Sequence, residues 1–96
     1  MAADPVIWEH LVVYLNADAQ QQTAFLQQHA PGKHFPMYAA EALMPNLDAY
    51  GQQGWELVSI QPVVVGENGD ILVTDRTQGW AGRWTHTYQC AFKRPK

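Results

Sequence analysis

Residues 6–15, Val-Ile-Trp-Glu-His-Leu-Val-Val-Tyr-Leu, are dense in β-branched and aromatic side chains and predict a first strand. The pattern then turns polar and glutamine-rich over 17–29, where Phe25 and Leu26 are the large apolar residues. A helix is expected there, capped by Asn16 or Asp18. Ala30-Pro31-Gly32-Lys33-His34-Phe35-Pro36 opposes helix and reads as a turn-rich link. Over 37–53, Leu43, Leu47 and Tyr50 recur at i, i+4 and i+7, one face of a helix. Pro45 removes an N–H and crowds the carbonyl of Glu41, so this main helix either kinks or restarts with proline in its first turn. Gly54 follows as a left-handed cap, a conformation that a Cβ would penalise.

Trp55-Glu56-Leu57-Val58-Ser59-Ile60 opens a second strand, 55–65. Asn68-Gly69 between two apolar runs predicts a two-residue hairpin loop, with Glu67 opposite Asp70, Val65 opposite Leu72 and Val64 opposite Val73. A third strand, 71–74, then leads through a loop, 75–83, to a fourth strand, 84–93. Trp84, His86, Tyr88, Cys90 and Phe92 alternate on one face of that strand, with Thr85, Thr87, Gln89 and Lys93 on the other. The order β-α(α)-β-β-β predicts an α+β domain: a small, mainly antiparallel sheet of about four strands with one or two helices on one face.

Composition narrows the function classes. The chain of 96 residues is 47% hydrophobic and 16% charged, which fits one folded domain and not a disordered tail. A net charge of −3 argues against general nucleic-acid binding. Lys93-Arg94-Pro95-Lys96 is the one basic cluster and reads as a solvated chain end. One cysteine, Cys90, leaves no intrachain disulfide. Met1-Ala2-Ala3-Asp4-Pro5 lacks the features of a signal peptide, and no apolar run approaches the ~20 residues of a membrane span. The expected setting is cytoplasmic, away from membranes.

Three blocks carry a resemblance: Trp8-Glu9-His10-Leu11-Val12-Val13, Gly51-Gln52-Gln53-Gly54-Trp55-Glu56-Leu57-Val58-Ser59, and Phe92-Lys93-Arg94-Pro95. In this order they resemble the small bacterial domain-of-unknown-function family 4177, whose members open on Trp-Glu-Tyr-Lys-Val and close on an aromatic-Lys-Arg-Pro strand. The resemblance implies the fold and no activity. His10 departs from the tyrosine usual there, 17–37 reads as an insertion between first strand and main helix, and 74–83 is longer than the usual hairpin.

Candidate chemistry is sparse. Four histidines, His10, His29, His34 and His86, lack the spacing that would converge three or four ligands on one metal. A Cys90–His86 dyad would be stretched over ~13 Å of strand; a Cys90–His10 contact across neighbouring strands stays open. Pro31-Gly32-Lys33 lacks the first glycine and the hydroxyl residue of a phosphate loop. No metal, cofactor or catalytic residue is expected. Arg76, Trp80, Arg83 and Trp84, clustered with Gly79 and Gly82, form the candidate ligand-binding surface for a planar or anionic small molecule. The alternative role for Trp80 is to pack over the sheet or against a second subunit.

Apolar residues fall on both faces of the early strands. On the second strand Trp55, Leu57, Val63 and Val65 oppose Val58, Ile60 and Val64; on the first, Ile7, Leu11 and Val13 oppose Val6, Trp8, Val12 and Tyr14. A one-layer antiparallel sheet normally turns a polar face to water. The expectation is therefore a self-associating interaction or ligand-binding domain, a homodimer using one sheet face. The alternative is a small enzyme whose site is completed at a subunit interface by His10, His86 or Arg83.

Overall fold

A computed structural model describes residues 4–66, 68–72 and 85–96. The chain is α+β. Three long strands, β1 (Trp8–Asn16), β2 (Glu56–Val65) and β4 (Thr87–Pro95), form an antiparallel sheet with β4 in the centre. A two-residue strand, β3 (Ile71–Leu72), pairs with the end of β2. Two helices, α1 (Thr23–His29) and α2 (Met44–Gln52), lie between β1 and β2, the second preceded by a 3₁₀ turn, Ala40–Leu43.

The break before α2 follows from Pro45. It sits in the first turn of α2, where its missing N–H costs nothing, so the helix restarts there rather than kinking. The expected helix over 37–53 is accordingly shorter, and 37–39 lie outside it. The expected apolar face survives. Leu43 is buried with Ala17 and Ala42, with Leu15, Leu47 and Tyr88 packed against them, and the Tyr50 ring meets Phe92 at 4.8 Å. Helix α1 is also shorter than 17–29. Asp18 caps no helix: its carboxylate accepts from the N–H groups of Gln20 and Gln21, holding a turn that delays helix until Thr23. Leu26 is the residue α1 buries.

Gly54 has φ +89°, and two bonds close the end of α2 around it. The Gly54 N–H donates to Gly51 and the Trp55 N–H to Tyr50, the pairing of a Schellman cap. The nearest atom to a Cβ there would be Arg94 Cδ at 4.0 Å, so an alanine meets no clash and only the backbone is strained. Gly54→Ala is therefore expected to lose about 1 kcal/mol in urea unfolding. An unchanged midpoint would contradict the cap.

Two registers differ from those the alternation predicts. The hairpin pairs Val64 with Leu72 and Val65 with Ile71, one residue away from Val65–Leu72 and Val64–Val73. The Gly66 N–H donates to the Asp70 carbonyl, and Gly69 donates back to Gly66 with φ +79°. Gly69 thus takes a left-handed position inside the Gly66–Asp70 pair, which displaces the two-residue turn. Val73, Thr74 and Glu67 lie outside the described residues. On β2, Leu57 faces Phe92 but Ser59 faces Ala91, so Val58 is an extra, bulged residue. The bulge inverts the expected phase. Leu57 and Ile60 now share the face of Phe92 and Cys90, while Glu56, Ser59 and Gln61 share the other.

Candidate functional site

The β1–β4 register fixes which side chains meet. Leu11, Val13 and Leu15 face Phe92, Cys90 and Tyr88 on the helix side; Trp8, His10, Val12 and Tyr14 share the outer face with Lys93, Ala91 and Gln89. On β2 the bulge puts Glu56, Ser59 and Gln61 on the outer face, followed by Val63, buried opposite Thr87, and the exposed Val65. The largest exposed apolar side chains of that face stand on β1, where Trp8, Val12 and Tyr14 are 39%, 53% and 51% exposed. The Lys93 ammonium stands 4.3 Å from the Trp8 ring centre. Leu57 and Ile60 are also exposed on the helix side, and with the exposed Val58 they cluster at the bulge rather than along a row.

At one end of the sheet the resemblance blocks converge on Arg94. Its Nε donates to Glu9 Oε1 at 2.5 Å, Nη1 donates to the Gln53 carbonyl at 2.8 Å, and the guanidinium lies 4.1 Å from the centre of the Trp55 ring. Each contact has a local cause. The Schellman cap turns the chain so that the carbonyl of Gln53 and the ring of Trp55 both reach Arg94, and cross-strand pairing sets Glu9 directly opposite. Arg94 therefore fastens the end of α2 to β1 and β4. Nε and Nη1 are engaged with groups of the fold and one face of the guanidinium is stacked on Trp55, the contacts of a structural clasp.

The histidines do not converge. His10 lies opposite Lys93, while the carbonyl of His86 bonds Ala17, so roughly 23 Å of strand separates them. His10 is on the outer face and Cys90 on the inner, which removes the Cys90–His10 contact. His86, expected on the apolar face, is exposed and stacks on Tyr38 at 4.8 Å. His29 stacks on Phe25 within α1. Burial pushes the Cys90 thiol above its ordinary pKa, so it is a protonated core group at neutral pH rather than a nucleophile. Among the described residues no three His, Cys, Asp or Glu side chains are placed to hold a metal. No described helix is long and apolar enough to cross a membrane.

One cleft of about 400 Å³ lies between α1 and the link that follows it, lined by Thr23, Leu26, Gln27, Lys33, His34 and Phe35 among others. Its polar groups are largely spent on the fold. The Gln27 amide accepts from Gly32 N–H and donates to the Lys33 carbonyl, and the Thr23 hydroxyl donates to Gln20. The Lys33 ammonium sits 5.0 Å from the Phe35 ring centre. Arg76, Trp80, Arg83 and Trp84 lie outside the described residues.

Sequence reasoning missed Arg94 by reading 93–96 as a solvated end. The signal was present: the alternation Tyr88, Cys90, Phe92 continues to 94. Comparison with protein-family profiles, with curated proteins and with solved structures finds no match for this chain.

Proposed function

We propose that this chain is a small, non-enzymatic interaction domain that self-associates through the outer face of its sheet along β1. The observation that carries the reading is the row of Trp8, Val12 and Tyr14, three large apolar side chains exposed on one strand while the rest of that face is mostly polar. An apolar row on a β-strand gains most when a second apolar surface removes it from water. The alternative, an enzyme site completed at a subunit interface by His10, His86 or Arg83, ranks second because His10 and His86 do not converge within the chain and Arg83 lies outside the described residues.

Sedimentation equilibrium at tens of micromolar tests the reading. The native chain is expected to be a dimer, and Trp8→Ser/Tyr14→Ser a monomer with an unchanged circular dichroism spectrum. A double variant that remains fully dimeric would overturn the role of the row.

A further inference from the structure

The main-chain groups of β1 have a phase that the flanking bonds reveal. Lys96 N–H donates to the Ile7 carbonyl at 2.8 Å, and Ala17 N–H to the His86 carbonyl at 2.7 Å. Both pairs continue the unbroken β1–β4 register, one at each end of it. In an antiparallel ladder, residues alternate between pairs that exchange main-chain bonds and pairs that do not. Bonded pairs at 7 and 17 therefore place every odd-numbered residue of β1 in the bonded set with β4. Trp8, His10, Val12, Tyr14 and Asn16 must point their N–H and C=O groups the other way. The Asn16–Thr87 pair agrees: its side chains approach to 2.8 Å, as the closer, non-bonded pairs allow.

Among the described residues that other way is a sheet edge, since β1 is terminal in their strand order. The edge is nine residues long and straight in register, with no proline, lysine or bulge, the devices that usually blunt such edges. Glu9, its one carboxylate, faces inward and is held by Arg94. The exposed apolar row belongs to the same residues whose main chain is unpaired by β4.

We infer that the partner of this edge is the β1 strand of a second copy, paired antiparallel about a twofold axis at Val12. This rests on the self-association reading and moves its contact from the outer face to the edge of β1, so that the apolar rows of the two copies lie side by side. The twofold axis pairs Val12 with its own copy, His10 with Tyr14 and Trp8 with Asn16. All are outward-pointing residues, so the seam forms about ten main-chain hydrogen bonds. No like charges meet across it, because Glu9 falls opposite Leu15. The outer-face side chains of the two copies become cross-strand neighbours, and the sheets join into one. A second copy satisfies the edge in both directions at once, which is the property of an isologous contact.

A cysteine cross-link reads this geometry directly. In Cys90→Ala/Val12→Cys, the two position-12 Cα atoms would stand about 5.5 Å apart, within disulfide range. Mild oxidation should link most of the protein, while Cys90→Ala/Ile60→Cys at the same concentration stays unlinked. Independently, Val12→Pro removes an N–H that β4 does not use, and should give a folded monomer by circular dichroism and light scattering. A native chain that is monomeric overturns both this geometry and the self-association reading. A native dimer that position 12 fails to link, and that Val12→Pro leaves intact, overturns the edge pairing alone; so does selective binding of an unrelated extended peptide at β1 by a dimer joined elsewhere.

Discussion

Phe92→Ala is expected to lose about 3–5 kcal/mol of folding stability, the largest effect of any substitution considered for this chain. Phe92 is 1% exposed at the centre of the sheet. Leu11 flanks it from β1 and Leu57 from β2, and the Tyr50 ring of α2 covers it at 4.8 Å. Truncation removes the ring from all three neighbours and leaves a cavity that the paired strands cannot close. A domain of this size holds only about 5–15 kcal/mol in total, so the variant should unfold at much lower urea. A loss below about 1 kcal/mol would mean that Phe92 is not the link between sheet and helix.

Arg94→Ala is expected to lose about 2 kcal/mol, assembled from three smaller contributions. The ion pair with Glu9 is about one-third exposed on both sides, so water screens it and its share is small. Stacking on Trp55 and the bond to the Gln53 carbonyl supply the rest. Arg94→Lys keeps the charge but loses the planar fork, and should recover less than half of the loss. Urea unfolding in low and high salt separates the parts: salt should shrink the Glu9 share and leave the stacking share. Full rescue by lysine would show that charge alone matters and would contradict the clasp.

The elements visible in the sequence were those fixed by local physics. Gly54 announced itself because a left-handed cap needs glycine after an apolar helix face, and Leu43, Leu47 and Tyr50 supplied that face. The alternation of Tyr88, Cys90 and Phe92 placed the inner face of β4 correctly. What escaped depends on pairing between distant residues. Nothing at Val58 itself marks a bulge, since neither glycine nor proline stands there; the extra residue is visible only against β4. Asn68-Gly69 signalled a hairpin, but whether Gly66 bonds Asp70 decides its register, and that is a cross-strand matter. Asp18 was a plausible cap because an Asx turn and a helix N-cap use the same carboxylate geometry.

The bulge has the widest consequence. An apolar second face over β1 and β2 together suggested a broad sheet-to-sheet contact. With Glu56, Ser59 and Gln61 turned outward, the outer face of β2 is interrupted by polar residues, and the row of exposed apolar side chains is the one on β1, at the edge of the sheet, where a neighbour strand can reach both its side chains and its main chain. The candidate site was thus half legible: Trp8, Val12 and Tyr14 were read together on one face, but their position at an unpaired edge required the strand order.

Light scattering on the native chain at tens of micromolar, coupled to size-exclusion chromatography, tests self-association most directly. The account predicts a single species of twice the chain mass that dissociates on dilution. A species of one chain mass at every concentration would contradict it.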